Sequence, residues 1–152
     1  MKVVKGDLIK RALRNELDLI IHGCNCYCTM GKGIAKTIKE NFPSAYHADL
    51  ATITGDKTKL GSFSHAEIEL NGQNLVVVNA YTQYNWKGKG NKADYDAIRM
   101  VFKEIKVNYS GLRIAYPAIG AGLAGGDWNI ISSIIDEELG GEDHTFVEFE
   151  NE

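Results

Sequence analysis

The stretch His22-Gly23-Cys24-Asn25-Cys26-Tyr27-Cys28-Thr29-Met30-Gly31-Lys32-Gly33-Ile34-Ala35 follows the apolar run Leu19-Ile20-Ile21 and leads into a helical pattern. It therefore reads as strand, glycine-bearing loop and helix in succession. A parallel sheet builds an anion site in that order. Glycine lets the backbone approach a phosphate closely, and the first N–H groups of the following helix point outward without an intrahelical partner. A phosphorylated ligand is the first expectation.

Outward from this stretch the same logic extends along the chain. Gly33 to Phe42 places Ile34, Ala35 and Ile38 on one helical face and stops at Pro43, after which Ser44 is positioned to cap a second helix through Ala51. Upstream, Lys2 to Val4 is a short strand ended by Gly6-Asp7, and Asp18 to Cys24 is a buried one. Phe63 to Leu70 and Leu75 to Thr82 flank Asn71-Gly72, a hairpin signal that predicts an antiparallel pair, with Gln73-Asn74 lengthening the connection. Asp94 to Tyr109 carries Ile98, Val101, Phe102 and Ile105 at helical spacing, preceded by a loop from Gln83 to Ala93 long enough to suspect function. Arg113 to Pro117 is another strand. It runs into a second glycine loop, Ala118-Ile119-Gly120-Ala121-Gly122-Leu123-Ala124-Gly125-Gly126, and then a helix from Asp127 or Trp128 to Leu139. Thr145 to Phe149 closes the chain as a strand.

Alternating strands and helices imply an α/β fold of three layers, a mixed and largely parallel central sheet with helices on both faces. Ligands in such folds bind beyond the carboxyl ends of the strands, so loops 24 to 33 and 118 to 126 are expected to wall one cleft. Two neighbouring walls of backbone donors suit a diphosphate.

Composition narrows the field. A chain of 152 residues with 44% hydrophobic and 24% charged side chains fits one domain spanning 1–152. Lys2, Lys5, Asp7 and Lys10 interrupt any leader-like apolar run and no stretch reaches membrane-spanning length, so the expectation is a cytoplasmic protein with no membrane partner. Three cysteines within five residues suit free thiols in a reducing compartment. A net charge of −3 argues against broad electrostatic binding to nucleic acid. Lys87, Lys89 and Lys92 beside Trp86 form a local patch that reads either as a solvated loop or as a holder of an anion or base.

Three other sites are weighed and set aside. Gly120 to Gly125 spells G-x-G-x-x-G, but a Rossmann domain needs that motif in its first βα unit, and only one helix and one strand follow here. Gly31-Lys32 is followed by Gly33 rather than Ser or Thr, which removes a P-loop. If extended, His22 and Cys28 stand about 20 Å apart at roughly 3.3 Å per residue, too far for one zinc ion, so packing is the better account of the cysteines and no metal or cofactor is expected.

Taken together, Lys5-Gly6-Asp7-Leu8, Ile21-His22-Gly23-Cys24-Asn25-Cys26, Gly31-Lys32-Gly33-Ile34-Ala35 and Pro117 through Trp128 resemble the macro domains, which bind ADP-ribose. Their order and spacing span nearly the whole chain. His-x-Cys-Asn-Cys followed by Gly-x-Gly-Ile-Ala is most similar to the branch that removes phosphate from ADP-ribose 1″-phosphate, a by-product of tRNA splicing. The resemblance implies a macro-domain fold with ADP-ribose or ADP-ribose 1″-phosphate as the small-molecule ligand, and ADP-ribosylated macromolecules as alternative partners. It implies ligand contacts from Gly6, Asp7 and Leu8 at the adenine, and from Gly23, Cys24 and Asn25 toward the terminal ribose. Met30, Gly31, Lys32, Gly33, Ile34 and Ala35, facing Ala118, Ile119, Gly120, Ala121, Gly122, Leu123 and Ala124, would hold the diphosphate and the terminal ribose through backbone N–H groups. Phe149 is expected to flank the adenine or to pack in the core, and Asp7 equally suits a helix cap.

For the chemistry, the resemblance makes His22 an acid or base with a pKa near neutrality, against a structural hydrogen-bonded histidine. Asp94 is the candidate to orient the water or His22, with Asp96 as alternate. A carboxylate favoured at a helix start by the macrodipole is the competing explanation for Asp94. The chain departs from the ADP-ribose glycohydrolase branch, which works through a lysine near Ala80-Tyr81-Thr82 and an aspartate where Ala124 stands; both are absent. Lys32 replaces a glycine common in the family and brings a cation to the mouth of the site.

Overall fold

The computed structural model describes residues 1–152. Its elements in chain order are β1 (Lys2–Gly6), α1 (Leu8–Leu13), β2 (Leu19–Cys24), α2 (Gly33–Asn41), α3 (Pro43–Leu50), β3 (Phe63–Leu70), β4 (Gln73–Tyr81), α4 (Tyr95–Tyr109), β5 (Ile114–Tyr116), α5 (Trp128–Glu138) and β6 (His144–Phe149), with a 3₁₀ turn at Lys57–Lys59. The six strands form one sheet in the order β1-β6-β5-β2-β4-β3. Every neighbouring pair is parallel except β3–β4, which makes the mixed, largely parallel sheet that strand and helix alternation predicts. No helix is long and apolar enough to cross a membrane.

Two local expectations need correction. Asn71 and Gly72 alone make the hairpin turn, at φ +52° and +82°, and Gln73 and Asn74 already pair with Leu70 and Glu69. Two left-handed residues match the twist of the flanking strands, so no longer connection is required. Ser44 is not a cap either. Pro43 both ends α2 and occupies the first turn of α3, with Phe42 as N-cap, because its fixed φ and missing N–H suit a first helical turn.

Period-two alternation along the central strands sorts the core into two layers. Leu19, Ile21, Val76, Val78 and Ala80 pack under α4 and α5. Ile20, Val77 and Ala115 pack under α1, α2 and α3 with Met30, Ile38 and Phe42. Because β2 lies between β5 and β4 while its loop precedes α2 on one face and the loop of β5 precedes α5 on the other, their carboxyl ends open a crevice at a topological switch point.

Candidate functional site

At that edge lies a cleft of about 950 Å³, with both glycine loops in its walls as predicted from the strand-loop-helix pattern. The first wall is Gly31 to Ala35 and the second runs from Pro117 to Ala124. Gly120, at φ +73°, allows the second loop to fold back so that Gly126 N–H donates to the Gly120 carbonyl at 2.7 Å. A Cβ on Gly126 would lie 2.5 Å from that oxygen. Gly31 and Gly122 differ: a Cβ on either meets nothing within 4 Å, so their lack of a side chain leaves room in the cleft.

Backbone donors without backbone acceptors lie in both walls. The first backbone hydrogen bond of α2 runs from Lys36 N–H to Lys32, so the amides of Gly33, Ile34 and Ala35 have no backbone acceptor. No side chain caps α2. On the opposite wall, Gly122, Leu123 and Ala124 likewise lack backbone acceptors for their N–H groups. Leu123 is 70% exposed and Phe149 69% exposed; both stand on the lips, so Phe149 is a cleft residue rather than a core one.

Asn25 lines the cleft and is held by its own loop. Its Oδ1 accepts Tyr27 N–H at 2.8 Å while Nδ2 donates to Thr29 Oγ1 at 2.7 Å. Gly23 is required where β2 meets the second loop, since a Cβ there would sit 2.8 Å from Thr82 Oγ1 and 3.3 Å from Ile119. Cys24 also borders the cleft.

His22 does not. It is fully buried, and its Nε2 lies 2.6 Å from Asn79 Oδ1. Asn79 Nδ2 donates to the Ala45 carbonyl and to Ser64 Oγ, which leaves Oδ1 as the acceptor and makes Nε2 of His22 the donor. Burial holds its pKa down at about 4, opposed by the Asn79 hydrogen bond. The expected near-neutral acid or base is thus corrected to a neutral core histidine behind Cys24, whose sulfur lies 3.6 Å away.

Asp94 is likewise committed. Its Oδ1 accepts Ala97 N–H at 2.9 Å as the N-cap of α4. Because α4 covers the opposite face of the sheet from α3, whose Ala45 adjoins Asn79 and His22, Asp94 cannot orient His22. Asp96 lies in the first turn of α4 outside the cleft. Asp7 caps α1 through Lys10 N–H at 3.0 Å, and its own N–H donates to Glu152 Oε2 at 2.7 Å. Leu8 is buried in the core and Gly6, in β1, pairs with the lip residue Phe149, so this trio lies behind the β6 edge of the cleft and is not among the residues that line it. Met30 is also a core residue, packed with Ile38.

Sequence reasoning missed Trp128 and the β6 residues Phe146 to Glu148 in the cleft wall. The suspected 83–93 loop supplies Gln83, Trp86 and Lys92. Lys92 is not a free cation, since its Nζ binds the Gly88 and Gly90 carbonyls at 3.2 and 3.3 Å. The cysteines diverge: Cys24 faces His22, Cys26 the Gln83 carbonyl and Cys28 the Asp49 carbonyl.

A family model described as Macro domain matches residues 21–135 of this chain. The chain is 38% identical over 143 residues to an uncharacterized 17.5 kDa protein from the tk-vs intergenic region of Enterobacteria phage T4, covering 90% of this chain and 88% of that protein. It is 25% identical over 166 residues to an ADP-ribose 1″-phosphate phosphatase of Debaryomyces hansenii, covering 90% and 93% of the two chains. Among solved structures, Thermosipho africanus DarTG in complex with ADP-ribose is similar at a TM-score of 0.75 and 22% identity, over 99% of this chain and 42% of that one.

Proposed function

The chain belongs to the macro domain family, and from that premise we propose that its cleft binds ADP-ribose and that the protein hydrolyses ADP-ribose 1″-phosphate to ADP-ribose and phosphate. One observation carries this reading: two runs of residues whose backbone amides lack backbone acceptors line one cleft, from Gly33 to Ala35 and from Gly122 to Ala124. Such donors bind a diphosphate without the cost of reorganising side chains. The name of the Debaryomyces relative supports the choice of reaction, and the ADP-ribose complex of the Thermosipho protein supports the ligand.

In this reading Asn25 meets the terminal ribose, and the adenine lies toward Phe149 on the lip. Lys32, exposed and without a side-chain partner, offers a cation to the terminal phosphate. His22 and Asp94 do not reach the cleft, so the groups left to orient an attacking water are Thr29, Gln83 and the Glu148 carboxylate. Water adds to phosphorus as the bond to the anomeric oxygen breaks, a proton from the water ends on that oxygen as the ribose hydroxyl, and backbone amides stabilise the charge that develops. The reading treats residues 1–152 as one macro domain. Its three free, buried thiols fit a reducing cytoplasm.

A second reading, an ADP-ribose binder without turnover, is favoured by the burial of His22 and the capping role of Asp94. Removal of ADP-ribose or an acyl group from a modified substrate has less support, because Ala124 stands where the glycohydrolase aspartate is expected and no lysine lies at 80–82. Calorimetry with ADP-ribose, run beside a free-phosphate assay with ADP-ribose 1″-phosphate, separates these. We expect one bound ADP-ribose per chain and multiple-turnover phosphate release. Binding without release leaves the binder, and absence of both overturns the two readings together.

A further inference from the structure

Behind the Asn25 loop lies a buried polar set for which the proposed reaction has no use. Lys59, from the 3₁₀ turn, is only 7% exposed, and a buried ammonium requires strong compensation. Its Nζ donates to the Cys26 carbonyl at 3.0 Å, lies 3.7 Å from Cys28 Sγ and stands 4.6 Å above the Tyr81 ring. Asp49, the nearby buried acid, accepts the Tyr81 hydroxyl at 2.7 Å and leaves its Oδ2 without a hydrogen bond. Lys59 thus directs its proton donors at the loop rather than into a close ion pair.

The target of that donation matters. The Cys26 carbonyl and the Tyr27 N–H belong to one peptide group, which is trans, so the two point in opposite directions. The carbonyl faces Lys59 and, at 2.7 Å, Gly55 N–H. The N–H faces Asn25 Oδ1 at 2.8 Å, and Asn25 Nδ2 continues to Thr29 Oγ1. One peptide plane therefore links a buried cation to an amide side chain on the cleft. Successive hydrogen bonds polarise one another in the same sense, which strengthens both the hold on Oδ1 and the donor character of Nδ2. Cys28 completes the clamp in a left-handed conformation, φ +58°, that is uncommon for a residue other than glycine or asparagine. Its sulfur touches Lys59 Nζ and the Asp49 carbonyl.

We propose that Lys59 is a positioning residue for the site, whose buried ammonium fixes and polarises Asn25 through the Cys26–Tyr27 peptide for contact with the terminal ribose. The contact rests on the ADP-ribose reading; the relay itself does not. A lysine that served only packing would affect the whole fold and would act independently of Asn25.

Four proteins test it: wild type, Lys59→Met, Asn25→Ala and the double variant, each titrated with ADP-ribose and followed by amide hydrogen exchange. Lys59→Met is expected to weaken ADP-ribose by roughly tenfold, the loss of one charge-assisted hydrogen bond. The same change in the Asn25→Ala background is expected to cost less than about twofold, since the relay's endpoint is already gone. Exchange should quicken at Tyr27 and through 25–31, while amides of α4 and α5 keep their protection. If Lys59→Met alone fails to fold, Lys59→Met/Asp49→Asn removes both buried charges together and is measured instead. Unchanged affinity, an undiminished loss in the Asn25→Ala background, or unchanged exchange at Tyr27 overturns the proposal. A wild type that does not bind ADP-ribose overturns the ligand reading, and exchange at Tyr27 still decides the relay.

Discussion

His22 gives its donor to Asn79 and is sealed from water, so its protonation is coupled to folding. With a folded pKa at about 4 against the ordinary 6.5, the native residue stays neutral while an unfolded chain takes up a proton. The stabilisation is complete above pH 6.5 and is lost as the pH falls toward 4, a difference of about 3 kcal/mol. His22→Gln keeps a neutral donor in reach of Asn79. Its unfolding free energy, from denaturant titrations at pH 7 and pH 4, should fall less than that of the wild type; an equal fall would show that other groups carry the dependence. Glycines of the second loop likewise differ by surroundings. Gly126→Ala forces a Cβ against the Gly120 carbonyl and should cost about 2 kcal/mol of stability. Gly122→Val, opening into the cleft, should leave the melting temperature unchanged and weaken ADP-ribose at least tenfold, as calorimetry would report. The reverse pattern would place Gly122 outside the ligand's path.

Helix starts explain why acidic residues admit two readings from sequence. Asp7, Asp94 and Asp127 each follow a strand or loop and each accept an N–H in the first turn, of Lys10, Ala97 and Asn129 respectively. A capping carboxylate and a catalytic one occupy the same kind of βα turn, and only the direction of the oxygen distinguishes them. Asn caps as well as Asp, so Asp94→Asn should retain both stability and phosphate release, whereas Asp94→Ala should lose about 1 kcal/mol. Melts and the phosphate assay check both, and an inactive but fully stable Asp94→Asn would return Asp94 to the chemistry. The start of α2 contrasts with these. It carries no side-chain cap, so the helix dipole and the first amides remain for an anion supplied from the cleft.

Across the whole molecule, the order β1-β6-β5-β2-β4-β3 seats the loops of β2 and β5 side by side although 95 positions separate Leu19 from its partner Ile114. Apolar periodicity, Asn71-Gly72 and the two glycine runs were enough to read the elements, their order and the two walls, because those signals are local: neighbouring residues alone set a strand's alternation or a turn's φ. Which side chains enter the cleft is not local. Strand alternation sends His22 toward α3 and Gly23 toward the second loop, and layers covering both faces then bury one and leave the other at the cleft. Phe149 is exposed because β6 ends at the lip, and Lys59 reaches Cys26 only because the turn before β3 folds beneath the β2 loop. Sequence by itself determined an α/β domain with two glycine loops walling one cleft, since backbone geometry follows from residue type. Tertiary structure alone decided that His22 and Asp94 lie on opposite sides of the sheet and that a buried lysine backs Asn25, since burial and hydrogen-bond partners come from chain segments far apart in sequence.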